Sequence, residues 1–262
     1  MVDLSLDPAL QTSRIILFLQ ENLKKTPFRK VIIGLSGGID SATAATLIVK
    51  ALGAKNILVA LLPYEQLGNE GLSSSTKIVN MLTIPQENIF QVDIKPPVDS
   101  LVSSDKNIDN IRRGNIMARV RMIILYDLAK KHQALVCGTE NKTEYLLGYF
   151  TRFGDEASDI EPIRHLYKTQ VKQLAKYLNL PPEVVSAIPT AGLWPGQTDE
   201  DEFGFSYEVA DQILYLYYEK KLTREEIIQS GFKKEIVEKV LKRVGENEFK
   251  HKLPFILPRH LP

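Results

Sequence analysis

The chain has 262 residues, 44% hydrophobic and 25% charged, with 33 Lys+Arg against 32 Asp+Glu. That near-neutral balance argues against an extended nucleic-acid track, which needs a cationic surplus. The one cysteine, Cys137, excludes an internal disulfide and any multi-thiolate zinc or iron–sulfur site.

In chain order, Asp7-Pro8 predicts a helix start, with the carboxylate accepting free N–H groups and proline pre-set at the first helical position. That helix runs to about Lys25, where Thr26-Pro27 ends it. No basic segment followed by an apolar stretch precedes it, so no signal peptide is expected. Val31 to Leu35 reads as a short buried strand, broken by Ser36-Gly37-Gly38. An alanine-rich helix over Ser41 to Leu52 is closed by Gly53. A second strand covers Ile57 to Leu62, which is also the longest plain apolar run and far shorter than the ~20 residues of a membrane span. A soluble cytoplasmic protein is therefore expected.

After a loop come a helix to about Leu82 and a third strand, Ile89 to Asp93. Residues 108 to 131 form the longest helical stretch, and Leu135 to Cys137 a fourth strand. A short helix starts at Asn141, a fifth strand is placed near Ile160 to Ile163, and Lys168 to Leu178 is helical up to Pro181-Pro182. Three tail helices follow: Ser206 to Glu219, Thr223 to Ser230 and Lys233 to about Asn247, the second opened by a Thr223/Glu226 capping box. The predicted fold is therefore α/β, a doubly wound parallel sheet of about five strands flanked by helices, with a helical C-terminal extension. One domain over residues 1–262 is the simplest organisation, and ligands are expected at the carboxyl ends of the strands.

The turn Gly34-Leu35-Ser36-Gly37-Gly38-Ile39-Asp40-Ser41 joins the first strand to a helix. Adjacent glycines let the backbone approach an anion, and the turn's N–H groups with the helix N-terminus form a phosphate cradle. A carboxylate at Asp40 is welcome beside phosphates only if a cation joins it, which suggests Mg²⁺-nucleotide binding. The Walker lysine and the dinucleotide glycine pattern are absent. The literal match to G-x-S-x-G invites a serine hydrolase, but the turn follows the first strand and no HGGG segment supplies an oxyanion hole.

The string SGGIDS resembles the signature of the PP-loop ATP pyrophosphatases. That resemblance implies cleavage of ATP to AMP and pyrophosphate and adenylation of a substrate oxygen. It leaves a purine nucleotide, tRNA, an asparagine precursor or deamido-NAD⁺ as substrates. The stretch Gly138-Thr139-Glu140-Asn141-Lys142-Thr143-Glu144, then Gly148 to Asp155, resembles the NAD⁺ synthetases within that group. So do Asn115 to Met122, Pro162 with Tyr167 to Gln170, Pro189 to Leu193, and Gly196 to Glu200.

The resemblance spans essentially the whole chain and implies ATP-dependent amidation of deamido-NAD⁺ by ammonia. It implies ATP contacts from the glycine turn, Thr139, Lys168 and Thr190, and Mg²⁺ on Asp40 and Glu144. It assigns the deamido-NAD⁺ substrate to Arg119, Arg152, Asp159, Lys250 and His251, with Lys252 as the alternative register for the tail lysine. Asp40 and Lys168 are the expected electrostatic catalysts, and Asp155 and Asp159 the candidates for handling the ammonium proton. Rival readings are a purine-nucleotide amidotransferase subunit, a tRNA-modifying enzyme and a non-catalytic ATP-binding module.

The residues carry some of this by themselves. Thr139 follows the fourth strand, at the expected ligand edge, and Glu144 falls early in the next helix, where it can face Asp40. Lys168 at a helix start is favourable only beside an anion. Arg112, Ile116 and Arg119 share a helix face, either a solvated stripe or a guanidinium grip on a diphosphate. The family is similar throughout in forming homodimers, no room for a glutaminase domain is expected, and segments 64–75 and 193–205 are candidate lids.

Overall fold

In the computed structural model, which describes residues 2–64, 69–252, 254, 256 and 257, the centre is a parallel sheet of four strands. These are β1 (Lys30–Gly34), β2 (Ile57–Leu61), β3 (Ile89–Gln91) and β4 (Ala134–Cys137), in the spatial order β3-β2-β1-β4. Strands β1, β2 and β4 are short, largely buried apolar runs, while the edge strand β3 is half-buried with Gln91 exposed. Val31, Ile33, Ile57, Val59 and Leu61 turn to one side, and Ile32, Leu58, Ala60 and Val136 to the other. The expected fifth strand is reduced to a single parallel bridge between Cys137 and Ile160. Pro162 follows two residues on and lacks the N–H that a longer ladder would need.

The first face is covered by α1 (Pro8–Lys24), α2 (Ile39–Leu52) and α7 (Lys168–Tyr177), with α3 (Asn69–Met81) and α8 (Pro182–Val185) at its margin. The second is covered by α5 (Asn110–His132), which packs Leu128 and Ala129 on the sheet, and by α4 (Lys95–Val102) against α5. Asp7 caps α1 by accepting the Leu10 N–H at 2.9 Å, and Asp109 caps α5 through the Arg112 N–H at 2.8 Å.

A second apolar cluster gathers α6 (Lys142–Leu147), α9 (Asp199–Phe203), α10 (Tyr207–Tyr218), α11 (Arg224–Gln229) and α12 (Lys234–Asn247). Thr223 and Glu226 form the expected capping box on α11. Helices α4, α8 and α9 are additions to the predicted elements. Among the described residues no helix is long and apolar enough to cross a membrane.

The chain leaves β1 toward β2 on one side, while β4 pairs with β1 on the other. The sheet therefore reverses its winding between β1 and β4, and a crevice opens beyond their carboxyl ends.

Candidate active site

The turn after β1 is held by its own serines. Ser41 Oγ donates to the Gly38 carbonyl at 3.0 Å, accepts the Ser36 N–H at 3.3 Å, and lies 3.1 Å from Ser36 Oγ. Gly37 has φ +86°, and a Cβ there would lie 2.3 Å from the Gly71 carbonyl oxygen, so only glycine fits. Ser75 Oγ, buried on α3, donates to the Leu35 carbonyl at 2.9 Å and fixes the turn from behind. Asp40 occupies the first turn of α2, where the helix dipole favours a negative charge.

Lys168, 3% exposed at the first position of α7, reaches back into this turn. Its Nζ lies 2.6 Å from Asp40 Oδ2 and 3.0 Å from Glu144 Oε1. Burial works against the lysine's charge, but the two carboxylates outweigh it and its pKa is raised. Burial raises the Glu144 pKa to about 7 against the opposing pull of Lys168, with Asp40 pushing the same way as burial. Asn141 joins the two acids: its Nδ2 donates to Asp40 Oδ1 at 3.0 Å, and it forms with Glu144 the capping box that starts α6.

The C-terminal helices brace this centre. Asp211 of α10, fully buried, accepts from Thr143 Oγ1 at 2.5 Å and from the Thr169 N–H at 2.8 Å. Thr143 Oγ1 in turn accepts the Lys168 N–H at 2.9 Å, so Asp211 ties the start of α7 to α6. Desolvation raises the Asp211 pKa to about 6. The Tyr207 ring lies 5.0 Å from Lys168 Nζ, and its hydroxyl donates to Asp199 Oδ2 at 2.8 Å. Tyr149 donates to Asp199 Oδ1 and to Glu202 Oε1, both at 3.0 Å. Within the candidate lid 193–205, Asp199–Phe203 is helix α9, fastened toward the centre; of the other candidate lid, residues 65–68 lie outside the described residues.

The remaining expected residues form a second grouping. Arg119 Nη2 donates to the Arg152 carbonyl at 3.3 Å, and Arg152 Nη2 donates to the Lys252 carbonyl at 2.6 Å. Asp155 accepts the Thr151 N–H at 2.8 Å and has its pKa raised by desolvation of its carboxyl among its neighbours. Lys250 Nζ donates to the Gly148 and Phe150 carbonyls at 2.7 and 3.1 Å. His251 Nε2 lies 2.6 Å from the Tyr145 carbonyl. Asp159 Oδ2 accepts the Val136 N–H at 2.8 Å, so that oxygen is engaged with the edge of β4. Thr139 follows β4 half-buried. Thr190 is exposed, with Oγ1 accepting the Gly192 N–H at 3.1 Å, and no bond joins it to the Asp40–Lys168 centre among the described residues.

Sequence reasoning passed over Asn141 as a bridge, Asp211 as a brace, and the Tyr207–Asp199–Tyr149 chain. Asn141 alone carried a local signal, since Asn followed three residues on by Glu is a capping box. It also passed over Arg121, half-buried near Asp155, whose pKa desolvation lowers to about 10. Cys137 is buried, its thiol pKa raised by desolvation, as its reading as a core residue expects.

Two acids and a lysine beside a phosphate-type turn can hold a nucleotide's phosphates and a hard cation. Among the described residues no group of three or more His, Cys, Asp or Glu could hold a metal. The two carboxylates that converge on one point suit Mg²⁺, which takes one or two protein carboxylates and fills its shell with phosphate oxygens and water.

Comparison with known proteins agrees with this chemistry. A solved NMN synthetase from Francisella tularensis superposes with TM-score 0.84 at 33% identity, covering 98% of this chain and 100% of that one. An NH₃-dependent NAD synthetase from Campylobacter jejuni, solved with nitrate, gives TM-score 0.82 at 32% identity, covering 97% and 100%. An NH₃-dependent NAD⁺ synthetase of Fusobacterium nucleatum is 42% identical over 244 residues, 93% of each chain. The family described as NAD synthase matches residues 11–254, and the chain belongs to that family.

Proposed function

We propose that the protein makes NAD⁺ from deamido-NAD⁺, ATP and ammonia, releasing AMP and pyrophosphate. The observation that carries the reading is Lys168, buried between Asp40 and Glu144 at the mouth of the glycine turn. A carboxylate is a poor acylating agent because oxide is a poor leaving group. Attack of the nicotinate carboxylate on the α-phosphorus of ATP expels pyrophosphate and gives an acyl adenylate. Ammonia then forms the C–N bond at the acyl carbon and AMP leaves.

The chain's part is positioning and charge neutralisation. The N–H groups and hydroxyls of Ser36, Gly37, Gly38 and Ser41 supply phosphate donors, and Lys168 supplies a fixed cation. Asp40 and Glu144 would hold Mg²⁺, which when bound neutralises charge on the pyrophosphate. Arg119 and Arg152, linked through the Arg152 carbonyl, face the substrate phosphates in this reading. Asp155, whose pKa is raised by desolvation, is the candidate in this reading for handling the ammonium proton. The protein works in the cytoplasm, as a homodimer. Exposed Leu101, Ile111 and Ile123, each 60 to 65% accessible along α4 and α5, supply apolar surface for that contact.

The test is incubation with deamido-NAD⁺, ATP and Mg²⁺, plus ammonium in one arm and glutamine in another, following NAD⁺, AMP and pyrophosphate. Equal amounts of NAD⁺, AMP and pyrophosphate with ammonium are expected; ADP in place of AMP would overturn the proposal. The resemblance to an NMN synthetase favours a second reading, amidation of the mononucleotide. An arm with nicotinate mononucleotide separates the two by their kcat/KM.

A further inference from the structure

Beside the centre lies a buried group of charges that the chemistry above does not use. Glu140, between Thr139 and Asn141, is 6% exposed, and its Oε2 pairs with Arg164 Nη2 at 2.8 Å. The same Nη2 pairs with Glu161 Oε1 at 2.9 Å, and Ser158 Oγ donates to that oxygen at 2.8 Å. Glu161 lies against the backbone of Gly138, where a Cβ would sit 1.8 Å from its Oε1. The two carboxylates therefore converge on one side of Arg164 at the end of β4.

The group is under-filled. Glu140 Oε1 and Glu161 Oε2 are buried without a hydrogen-bond partner, and Glu140 Oε2 has only its ion pair to Arg164. With both ionised, two carboxylates against one guanidinium would leave an uncompensated negative charge in a place closed to water, so the group by itself keeps a proton that an entering cation can displace. The spare carboxylate oxygens outnumber the one spare donor, Arg164 Nε, and an excess of acceptors calls for a monovalent cation that carries its own N–H bonds. Glu140 is also within Coulombic reach of both Glu144 and Asp155, so it adjoins each half of the site.

We propose that Glu140 and Glu161, beside Arg164, form the site that receives ammonium and delivers it as ammonia. This rests on ammonia as the nitrogen donor, the reading given above. Ammonium enters as the counter-ion in place of that proton, which passes to water, and then gives one N–H proton to the carboxylate oxygen, leaving ammonia and a carboxylic acid. The nitrogen lone pair then attacks the acyl carbon, the bond to AMP breaks, and the proton released as the amide forms passes to water. A carboxyl matched to this exchange must hold its proton more tightly than an exposed one. Burial raises Glu140 to about 9 and Glu161 to about 7, both against the opposing pull of Arg164. Ser158 and the Glu140 backbone also hold Glu161 down, while Glu156 pushes it up; Glu144 and Asp155 push Glu140 up. Lys250, Tyr126 and the Cys137 thiol complete the titratable surroundings.

The experiment compares the full-length protein with Glu161→Gln and Glu140→Asp, two variants that keep the hydrogen-bonding outline of the site. In steady-state assays the KM for ammonium is expected to rise about tenfold or more, with kcat and the KM values for ATP and dinucleotide within about twofold. The fall of the ammonium KM between pH 6 and 8.5 is expected to flatten in Glu161→Gln. Ammonium chloride alone is expected to raise the Tm of the wild-type protein, and not of Glu161→Gln, relative to sodium chloride. An unchanged ammonium KM in both variants, or an equal rise in every KM, overturns the assignment. Potassium matching ammonium in the Tm shift while the ammonium KM stays fixed overturns it too, leaving a structural cation site. If the wild-type protein forms no amide with ammonium, the functional reading falls, and the Tm arm still decides whether the cation site exists.

Discussion

Lys168 is bonded to both carboxylates that face the glycine turn, and all three groups are largely withdrawn from water. Removing the cation leaves Asp40 and Glu144 facing one another in a place where neither is well hydrated. Lys168→Ala is expected to abolish turnover and to lower unfolding stability in urea by about 3 to 5 kcal/mol, the usual cost of stripping one partner from a buried ion pair. Lys168→Ala combined with Asp40→Asn and Glu144→Gln should recover most of that stability and none of the activity. A stability loss that persists in the triple variant would show that Lys168 acts by packing and not by charge.

At the scale of elements, α7 delivers Lys168 only because α10 holds its first turn. Asp211 accepts one bond from α6 and one from α7, and an asparagine there can accept only one of them well. Asp211→Asn is expected to cost about 1 to 3 kcal/mol, with a raised KM for ATP; Asp211→Ala should be worse in both measurements, and equal effects would refute the brace. The strands and long helices were legible because their apolar periodicity is local. Helix α4 was not, since Pro96-Pro97 reads as a loop although proline is tolerated in a first turn. Helix α9 is five residues, four of them acidic, with little periodicity to detect. The glycine turn, Asp40, Glu144 and Lys168 were legible through motif and cap signals. Asp211 is 68 residues from Thr143, so no local pattern could announce it. Glu140 and Glu161 read as ordinary charges until the fold buried them beside Arg164.

For the whole molecule, four buried acids have folded-state pKa values above their unfolded ones: Glu140 about 9, Glu144 and Glu161 about 7, Asp211 about 6. Such groups contribute stability that is full below their unfolded values near 4 and is lost as pH rises through the folded values. His165, held below its usual pKa mainly by burial, acts oppositely: its contribution grows as pH rises and is complete once pH has passed the ordinary imidazole value. Urea midpoints without ligands are therefore expected to fall between pH 7 and 9, by an equivalent of about 1 to 3 kcal/mol; a flat or rising profile would contradict the buried charge pattern. If the exposed isoleucines of α5 carry the dimer, Ile123→Glu should sediment as a monomer where the wild-type protein sediments as a dimer.

The ion triad also has an order in time. Asp40 leaves the ribosome 128 residues before the lysine that neutralises it, and the Asp211 that clamps that lysine follows 43 residues later still. The serine-braced turn is local and can close early, whereas the charge that makes it useful arrives late. A growing chain therefore carries the residues of the turn long before it carries the lysine of the centre, and nucleotide turnover cannot begin on an unfinished polypeptide.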